Sequence, residues 1–341
     1  MKKSRFIQLT VLSTVILALP QLAQACASCG CTLSSDWESL GLSTSSGFKL
    51  DVRYDYLDQN QLRSGTGKIS PQAASGIVNT GSRNPANDGP QEVEKYTKNH
   101  YVTITGDYNF NPSWGVQVQV PYIDRSHATL GTSSDGVSPA DEAYESGTKN
   151  IGDIKVIGRF QGFTEQHNVG VLFGLKLPTG DHRQTGISTD PAALGDVAAI
   201  DRGLQPGTGT TDVILGVYYH DAINKDWGFF SQGVVQTALN AKDDYRPGNG
   251  LNLNGGLRYT GFAGFTPQLQ LNARYVARDS GAEADTVSTG GTLVYLSPGV
   301  VVPVNKKLSA YSFVQIPIYQ NVNGVQLAPR FTASVGARYS F

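Results

Sequence analysis

Phe331 to Phe341 alternate without a slip. Phe331, Ala333, Val335, Ala337, Tyr339 and Phe341 fall on one face, with Thr332, Ser334, Gly336, Arg338 and Ser340 on the other. Period two is the pleat of a β-strand, whose successive side chains line opposite faces. The pattern opens again at Phe48, where Leu50, Val52, Tyr54 and Tyr56 oppose Lys49, Asp51, Arg53 and Asp55. Val102, Ile104, Tyr108 and Phe110 then oppose Thr103, Thr105, Asp107 and Asn109. Past the breaker Asn111-Pro112-Ser113, Trp114, Val116, Val118, Val120 and Tyr122 alternate with Gln117 and Gln119, which predicts a hairpin. Further strands are predicted near 152–162, 168–178, 211–220, 227–239, 251–261, 266–278, 291–304 and 308–319, and a last one from about Ala328.

Short turns alternate with the longer links 58–98, 124–150, 179–210, 240–250, 279–290 and 320–327. Outer-membrane barrels have even strand counts, short periplasmic turns and longer outside loops, and about 9–11 tilted residues cross the bilayer. The predicted fold is therefore all-β: a transmembrane antiparallel up-and-down barrel of about 12 strands, with 10 or 14 as alternatives. Aromatic residues crowd the short turns: Tyr108, Phe110 and Trp114; Phe160 and Phe163; Tyr219 and Trp227; Tyr259, Phe262 and Phe265; Tyr339 and Phe341. They form one interfacial girdle if those turns share a rim. A secreted β-sandwich also alternates, but it accounts for neither the girdle nor the ordered loop lengths.

Composition agrees, with 39% hydrophobic and 16% charged residues and 39 Gly. A barrel needs only one apolar residue in two. Lys2, Lys3 and Arg5 precede an apolar run, Phe6 to Leu19, then Pro20 and Ala23-Gln24-Ala25, the layout of a secretory signal. The organisation read from this is a signal peptide over 1–25, a periplasmic Cys-containing segment over 26–46 that is a candidate plug, and an outer-membrane β-barrel over 47–341. Formal net charge is −1. Losing three basic residues with the signal takes it to −4, which gives no case for nucleic acid. The expected location is the outer membrane of a Gram-negative bacterium. Expected partners are outer-membrane lipid, a small-molecule solute and, through the C-terminal strand, the barrel-assembly machinery.

The inward face is where function belongs, since the outward one must satisfy lipid. The register points Lys49, Arg53, Lys155, Arg159, Lys176, Arg258, Arg274, Arg278 and Arg338 into the lumen, with Asp51, Asp55, Asp107 and Asp212. Charged rings in a pore select by sign, so a preference for anions follows. Equally, the charges can pair across the barrel and simply satisfy a polar interior.

Cys26, Cys29 and Cys31 are the only cysteines. Three thiols this close can bind Cu or Zn. In the periplasm they can also oxidise in part to a disulfide, and Cys26 is a weaker candidate for lipidation. No cofactor other than this is expected. Catalysis is not expected either. The five His are scattered without zinc-site spacing, and no Lys follows Gly207-Thr208-Gly209 to make a phosphate cradle.

Leu177-Pro178-Thr179-Gly180-Asp181, Leu204-Gln205-Pro206-Gly207-Thr208-Gly209 with Asp212, Tyr245-Arg246-Pro247-Gly248, and Pro317-Ile318-Tyr319-Gln320 with Asn323-Gly324 and Gln326-Leu327 carry a resemblance. From about Gly152 to Phe341 the chain resembles a family of bacterial outer-membrane barrel transporters labelled for the meta-pathway of phenol degradation. The resemblance implies passage of aromatic or other small hydrophobic compounds, and its matching residues are architectural. The expected function is a porin-like channel for passive transport of small solutes, anionic or aromatic. A metal- or redox-binding barrel that uses the cysteine cluster with a periplasmic partner is the alternative. An adhesive barrel using the 58–98 link is a third.

Overall fold

The computed structural model describes residues 46–79, 89–90, 93–132, 139–187 and 197–341. The wall begins with three long strands, β1 (Gly47–Gly65), β2 (Val93–Asn109) and β3 (Trp114–Thr132). Seven shorter ones follow: β4 (Lys155–Phe160), β5 (Val169–Lys176), β6 (Asp212–Ala222), β7 (Trp227–Ala238), β8 (Gly250–Tyr259), β9 (Thr266–Val276) and β10 (Gly291–Pro303). A continuous extended stretch, Leu308–Ser340, then returns to pair with β1 and closes the sheet.

That last stretch is two strands. Every ladder in the ring is antiparallel, and an odd number of strands cannot close with antiparallel neighbours throughout. Leu308–Ser340 resolves the conflict by doubling back. Its first arm, 308–322 (β11), pairs with β10, and its second, 325–340 (β12), pairs with β1. The arms face each other: the Ser340 amide donates to Lys307 O at 2.8 Å, Gln320 Nε2 to Pro329 O at 2.7 Å and Ser312 Oγ to Ser334 O at 3.1 Å. Gly324, at φ +57, makes the tight reversal. The barrel therefore has twelve strands.

The outer face is apolar. Val52, Ile104, Val118, Leu215, Val217, Leu253, Leu269, Leu271, Ile316 and Val335 are all exposed on it. Below this belt the short-turn rim carries linked rings. Phe48–Phe341, Tyr108–Phe110, Trp114–Phe160, Phe160–Phe163, Trp227–Tyr259 and Phe262–Phe265 have centroids 4.6–5.3 Å apart. Exposed Tyr54, Tyr122, Tyr275 and Tyr319 stand nearer the other rim. An apolar band between two aromatic girdles is the surface that a bilayer requires. No helix among the described residues is long and apolar enough to cross a membrane.

Two predicted loops contain strand. β1 runs on to Gly65 and β2 starts at Val93, so the 58–98 link is shorter than the sequence indicates. Within 124–150, β3 extends to Thr132 and pairs with a strand at Pro139–Ile151. Both extensions rise above the lipid belt, where polar residues predominate and period two loses its signal. A short helix, Pro71–Ser75, capped by Ser70 Oγ, packs there through Ala74 against Val93 and Val325.

Candidate functional site

The interior of the barrel is polar, and its charges are arranged in pairs. On β1, Arg53 Nε donates to Asp55 Oδ2 at 2.8 Å, and Ser334 Oγ on β12 donates to Asp55 Oδ1 at 2.5 Å. Asp51 accepts from Arg338 Nη2 at 3.0 Å and from the Tyr311 hydroxyl at 2.9 Å. Arg159 grips both oxygens of Asp107, at 2.9 and 3.2 Å, and also donates to Asn109. Lys176 lies 2.8 Å from Asp153 and 3.2 Å from Asp212, and donates to Thr208. Charges taken from water must be paired and hydrogen-bonded or the fold loses stability. The chain meets that requirement by placing cation and carboxylate on the same strand or on near neighbours.

Lys49, Lys155, Arg258 and Arg274 also stand at inward positions, and Arg274 Nη1 lies 3.4 Å from Asn252 Oδ1. Arg278 does not. β9 ends at Val276, and Arg278 is exposed in the following connection, where it donates to Thr286 O at 3.3 Å. Two glycines with positive φ, Gly290 and Gly291, re-enter the wall at β10 and leave 277–289 outside the strands. Cys26, Cys29 and Cys31 lie outside the described residues. Among the described residues no group of His, Cys, Asp and Glu is placed to hold a metal ion.

Several interior residues escape a reading of the sequence. Arg125, 3% exposed, donates to Asn99 Oδ1 at 2.6 Å and to the Tyr101 hydroxyl at 2.8 Å. It continues the inward series Gln117, Gln119, and is hidden where the polar stretch from 124 reads as loop. Asp153 sits at the break between Ile151 and Lys155, where strand periodicity gives no signal. On β7 to β10 the interior carries amides: Asn272 Nδ2 donates to Asn254 Oδ1 at 2.9 Å, Ser297 Oγ to Asn272 Oδ1 at 2.5 Å, and Asn254 Nδ2 to Gln232 Oε1 at 3.3 Å. Strands half a turn apart in a twelve-strand ring are opposite, so this amide-rich wall, with Arg258 and Arg274 as its cations, faces the ion-paired one on β1 to β4. Inward aromatic rings lie on glycines of the adjacent strand, Tyr218 on Gly170, Phe230 on Gly256, Phe313 on Gly299 and Tyr311 on Gly336, which lets bulky side chains lie flat along a curved sheet.

The described parts of the connection after β5, residues 177–187 and 197–211, fold onto the mouth at the long-loop rim. Asp153 anchors them, accepting from the Gly180 amide at 3.0 Å, the Thr208 amide at 3.0 Å and Thr208 Oγ1 at 2.9 Å. Gly180 and Gly207 touch backbone to backbone, and a Cβ on Gly180 would meet Gly207 Cα at 2.7 Å. Arg125 Nη1 reaches Gly203 O at 3.3 Å, and Thr148 Oγ1 donates to Leu204 O at 2.9 Å. Arg202 stacks over Tyr245 at 4.8 Å and donates to Lys242 O at 3.2 Å. Tyr245 and the Gly248 amide both bind Asp279, each at 2.9 Å. Three outer loops are thus tied into one cap. Asp243 lies in it, half-exposed, with Arg183 Nη2 at 2.9 Å and Lys242 Nζ at 3.2 Å. The hydrogen bond from Arg183 does most to pull its carboxyl down to about 2; burial opposes it, and Lys242 adds a further pull.

No family model and no curated protein matches the chain. Among solved structures it is similar to an outer-membrane channel from Pseudomonas putida F1. Identity is 11% and the TM-score 0.59, over 88% of this chain and 97% of that one. Lesser likenesses are to the CymD monoaromatic hydrocarbon channel (10% identity, TM-score 0.44, 94% and 95% covered) and to the Ralstonia pickettii toluene transporter TbuX (10%, 0.44, 87% and 90%). At such identities the first comparison speaks to the fold alone, and the fold it shares is a closed antiparallel barrel of the outer-membrane kind.

Proposed function

We propose that this chain is an outer-membrane channel for passive passage of small solutes, with a preference for anions, aromatic carboxylates and phenolates among them. One observation carries the reading: a closed ring with an apolar outside surrounds an interior whose cations outnumber its carboxylates. Among the described residues Lys49, Arg53, Lys155, Arg159, Lys176, Arg258, Arg274 and Arg338 stand at inward positions, against the carboxylates of Asp51, Asp55, Asp107, Asp153 and Asp212. A surplus of one sign along a low-dielectric passage lowers the barrier for the other sign. No chemical step is involved, so mechanism here means lumen width, charge lining and the set of the outer cap. The Pseudomonas putida protein of like fold is itself an outer-membrane channel, in keeping with this role.

Planar-bilayer recording under a salt gradient tests the reading, on the mature chain and on a chain lacking 32–46. The expected result is a reversal potential of the sign for anion selectivity, reduced by Arg274→Gln. Cation selectivity, or no conductance from either chain, would overturn it.

A further inference from the structure

The cap at the outer mouth holds a carboxylate among basic side chains that converge on it. Asp243 Oδ2 lies 2.9 Å from Arg183 Nη2, 3.4 Å from His182 Nε2 and 3.9 Å from Arg202 Nη1. Its Oδ1 lies 3.2 Å from Lys242 Nζ. His182, Arg183 and Arg202 come from the connection after β5 and Lys242 from the one after β7, so only the folded cap brings them together. Asp181 is turned elsewhere, its Oδ1 accepting from the Arg183 amide at 3.0 Å. Charged donors make short, strong hydrogen bonds to a carboxylate, and an Arg fork suits its two oxygens. The same constellation recognises a carboxylate whether it is tethered to the chain or free in solution.

The tethered one fits imperfectly. Asp243 and Asp244 both have φ +50, in the left-handed region that residues other than glycine enter reluctantly. They are the centre of a turn whose ends, Lys242 and Tyr245, exchange backbone bonds of 2.8 and 3.1 Å. His182 Nε2 is buried and, although near Asp243, makes no hydrogen bond among the described residues, and neither does Arg202 Nε. Buried polar atoms left without a partner cost free energy. Asp243 therefore leaves part of its own site unmet.

The site has a floor and an open side. The Arg202 side chain is 11% exposed, stacked over Tyr245 at 4.8 Å and donating to the carbonyls of His182, Thr208 and Lys242. Arg183, 67% exposed, and Asp243, 37% exposed, face outward. Below the floor, the Thr208 hydroxyl accepts from Lys176 at the end of β5. One residue thus separates the site from the top of the lumen.

We infer that Asp243 is a built-in stand-in for solute, and that the place of its carboxylate is an entry site for small monocarboxylates. The incoming carboxylate displaces Asp243 from Arg183, Lys242 and His182, with Arg202 behind it. This rests on the channel reading and adds to it a ligand class and a point of first capture. A site that its own chain occupies shows an affinity lowered by the fraction of time it stands vacant. Capture is then weak and reversible, as passage through a channel requires.

Fluorine NMR of para-fluorobenzoate tests it on the full chain in detergent micelles, read as line broadening beyond that of micelles alone. Asp243→Gly removes the tethered carboxylate and suits a left-handed turn. Binding about tenfold tighter than in the parent is expected, the factor for a place vacant about a tenth of the time. Arg183→Gln should abolish binding in either chain, and its effect on the parent decides the matter if Asp243→Gly does not assemble. Binding should also weaken with added salt. Absence of binding in every chain that assembles would overturn the site. So would equal binding with and without Arg183, or equal binding of neutral para-fluorobenzyl alcohol. Anion-selective conductance without binding would overturn the site alone, whereas binding without conductance would overturn the channel and leave the site standing.

Discussion

Arg159 and Asp107 meet across the lumen wall in a two-pronged contact of 2.9 and 3.2 Å, although their strands, β4 and β2, are separated by β3. The intervening residue is Gly115, and a Cβ there would run into the Arg159 guanidinium. Glycine thus opens the path by which two strands that share no backbone ladder are joined through side chains.

Removing one member should therefore cost more than removing both. Arg159 is 2% exposed, and a buried cation left alone destabilises by about 3–5 kcal/mol. Asp107→Asn is expected to lower the midpoint of heat-induced unfolding, read from gel mobility of the folded barrel, and Asp107→Asn with Arg159→Gln to recover much of the loss. A double variant as unstable as the sum of the singles would show that the pair is not coupled.

Asp153→Ala should free the segments around Gly180 and Thr208 while leaving the barrel assembled. Three donors in those segments lose their shared acceptor, at roughly 2 kcal/mol for charged hydrogen bonds of this kind. Trypsin added to intact cells is expected to cut after Arg183 or Arg202 much faster than in the parent. Unchanged cleavage would mean that these segments are held by their other contacts, those of Gly203, Leu204, Arg202 and Arg183, without Asp153.

The cap should resist acid. The Asp243 carboxyl is held at about 2 by Arg183 and Lys242. A depressed carboxylate pKa contributes stability above its unfolded value, and that contribution vanishes only as pH falls through the folded one. Spin labels placed on 183–187 and 240–246 should keep one separation from pH 7 to pH 4 and move apart below about pH 3. Separation beginning near pH 5 would contradict the assignment.

Gly299→Val should disturb assembly because the Phe313 ring occupies the place of its side chain. Overpacking of this sort costs about 1–3 kcal/mol, and Phe313→Ala in the same chain should restore part of it. On the outer face, Leu271→Arg is expected to cost about 2–4 kcal/mol if the residue lies near the bilayer midplane. Loss of folded barrel on semi-native gels reads both.

Alternation is enough to predict the spanning part of this protein. Lipid on one side and a polar interior on the other force period two on every crossing strand, so Phe331 to Phe341, or Phe48 to Tyr56, declare both their form and their facing. The turns, the aromatic girdle and twelve strands follow from that local rule. Above the lipid the rule lapses: Gln59 to Gly65 and Arg125 to Thr132 are strand with polar residues on both faces, and sequence shows them as loop. Arg125 is hidden for this reason. Arg278 is misplaced by its sequence because nothing in its own neighbourhood marks that β9 stops at Val276.

What only the tertiary structure decided is which charge answers which. Arg53 has Asp51 and Asp55 equally near along β1, yet Asp55 is its partner, while Asp51 is taken by Arg338 and Tyr311 from the far end of the chain. Asp153, unremarkable in sequence, gathers Lys176, Gly180 and Thr208 at one carboxylate. Period two fixes the side on which a residue lies. Its neighbours across the ring depend on ladder register, on closure between β12 and β1, and on glycines such as Gly115 that let side chains cross a strand. These are properties of the closed sheet and are written in no single segment of it.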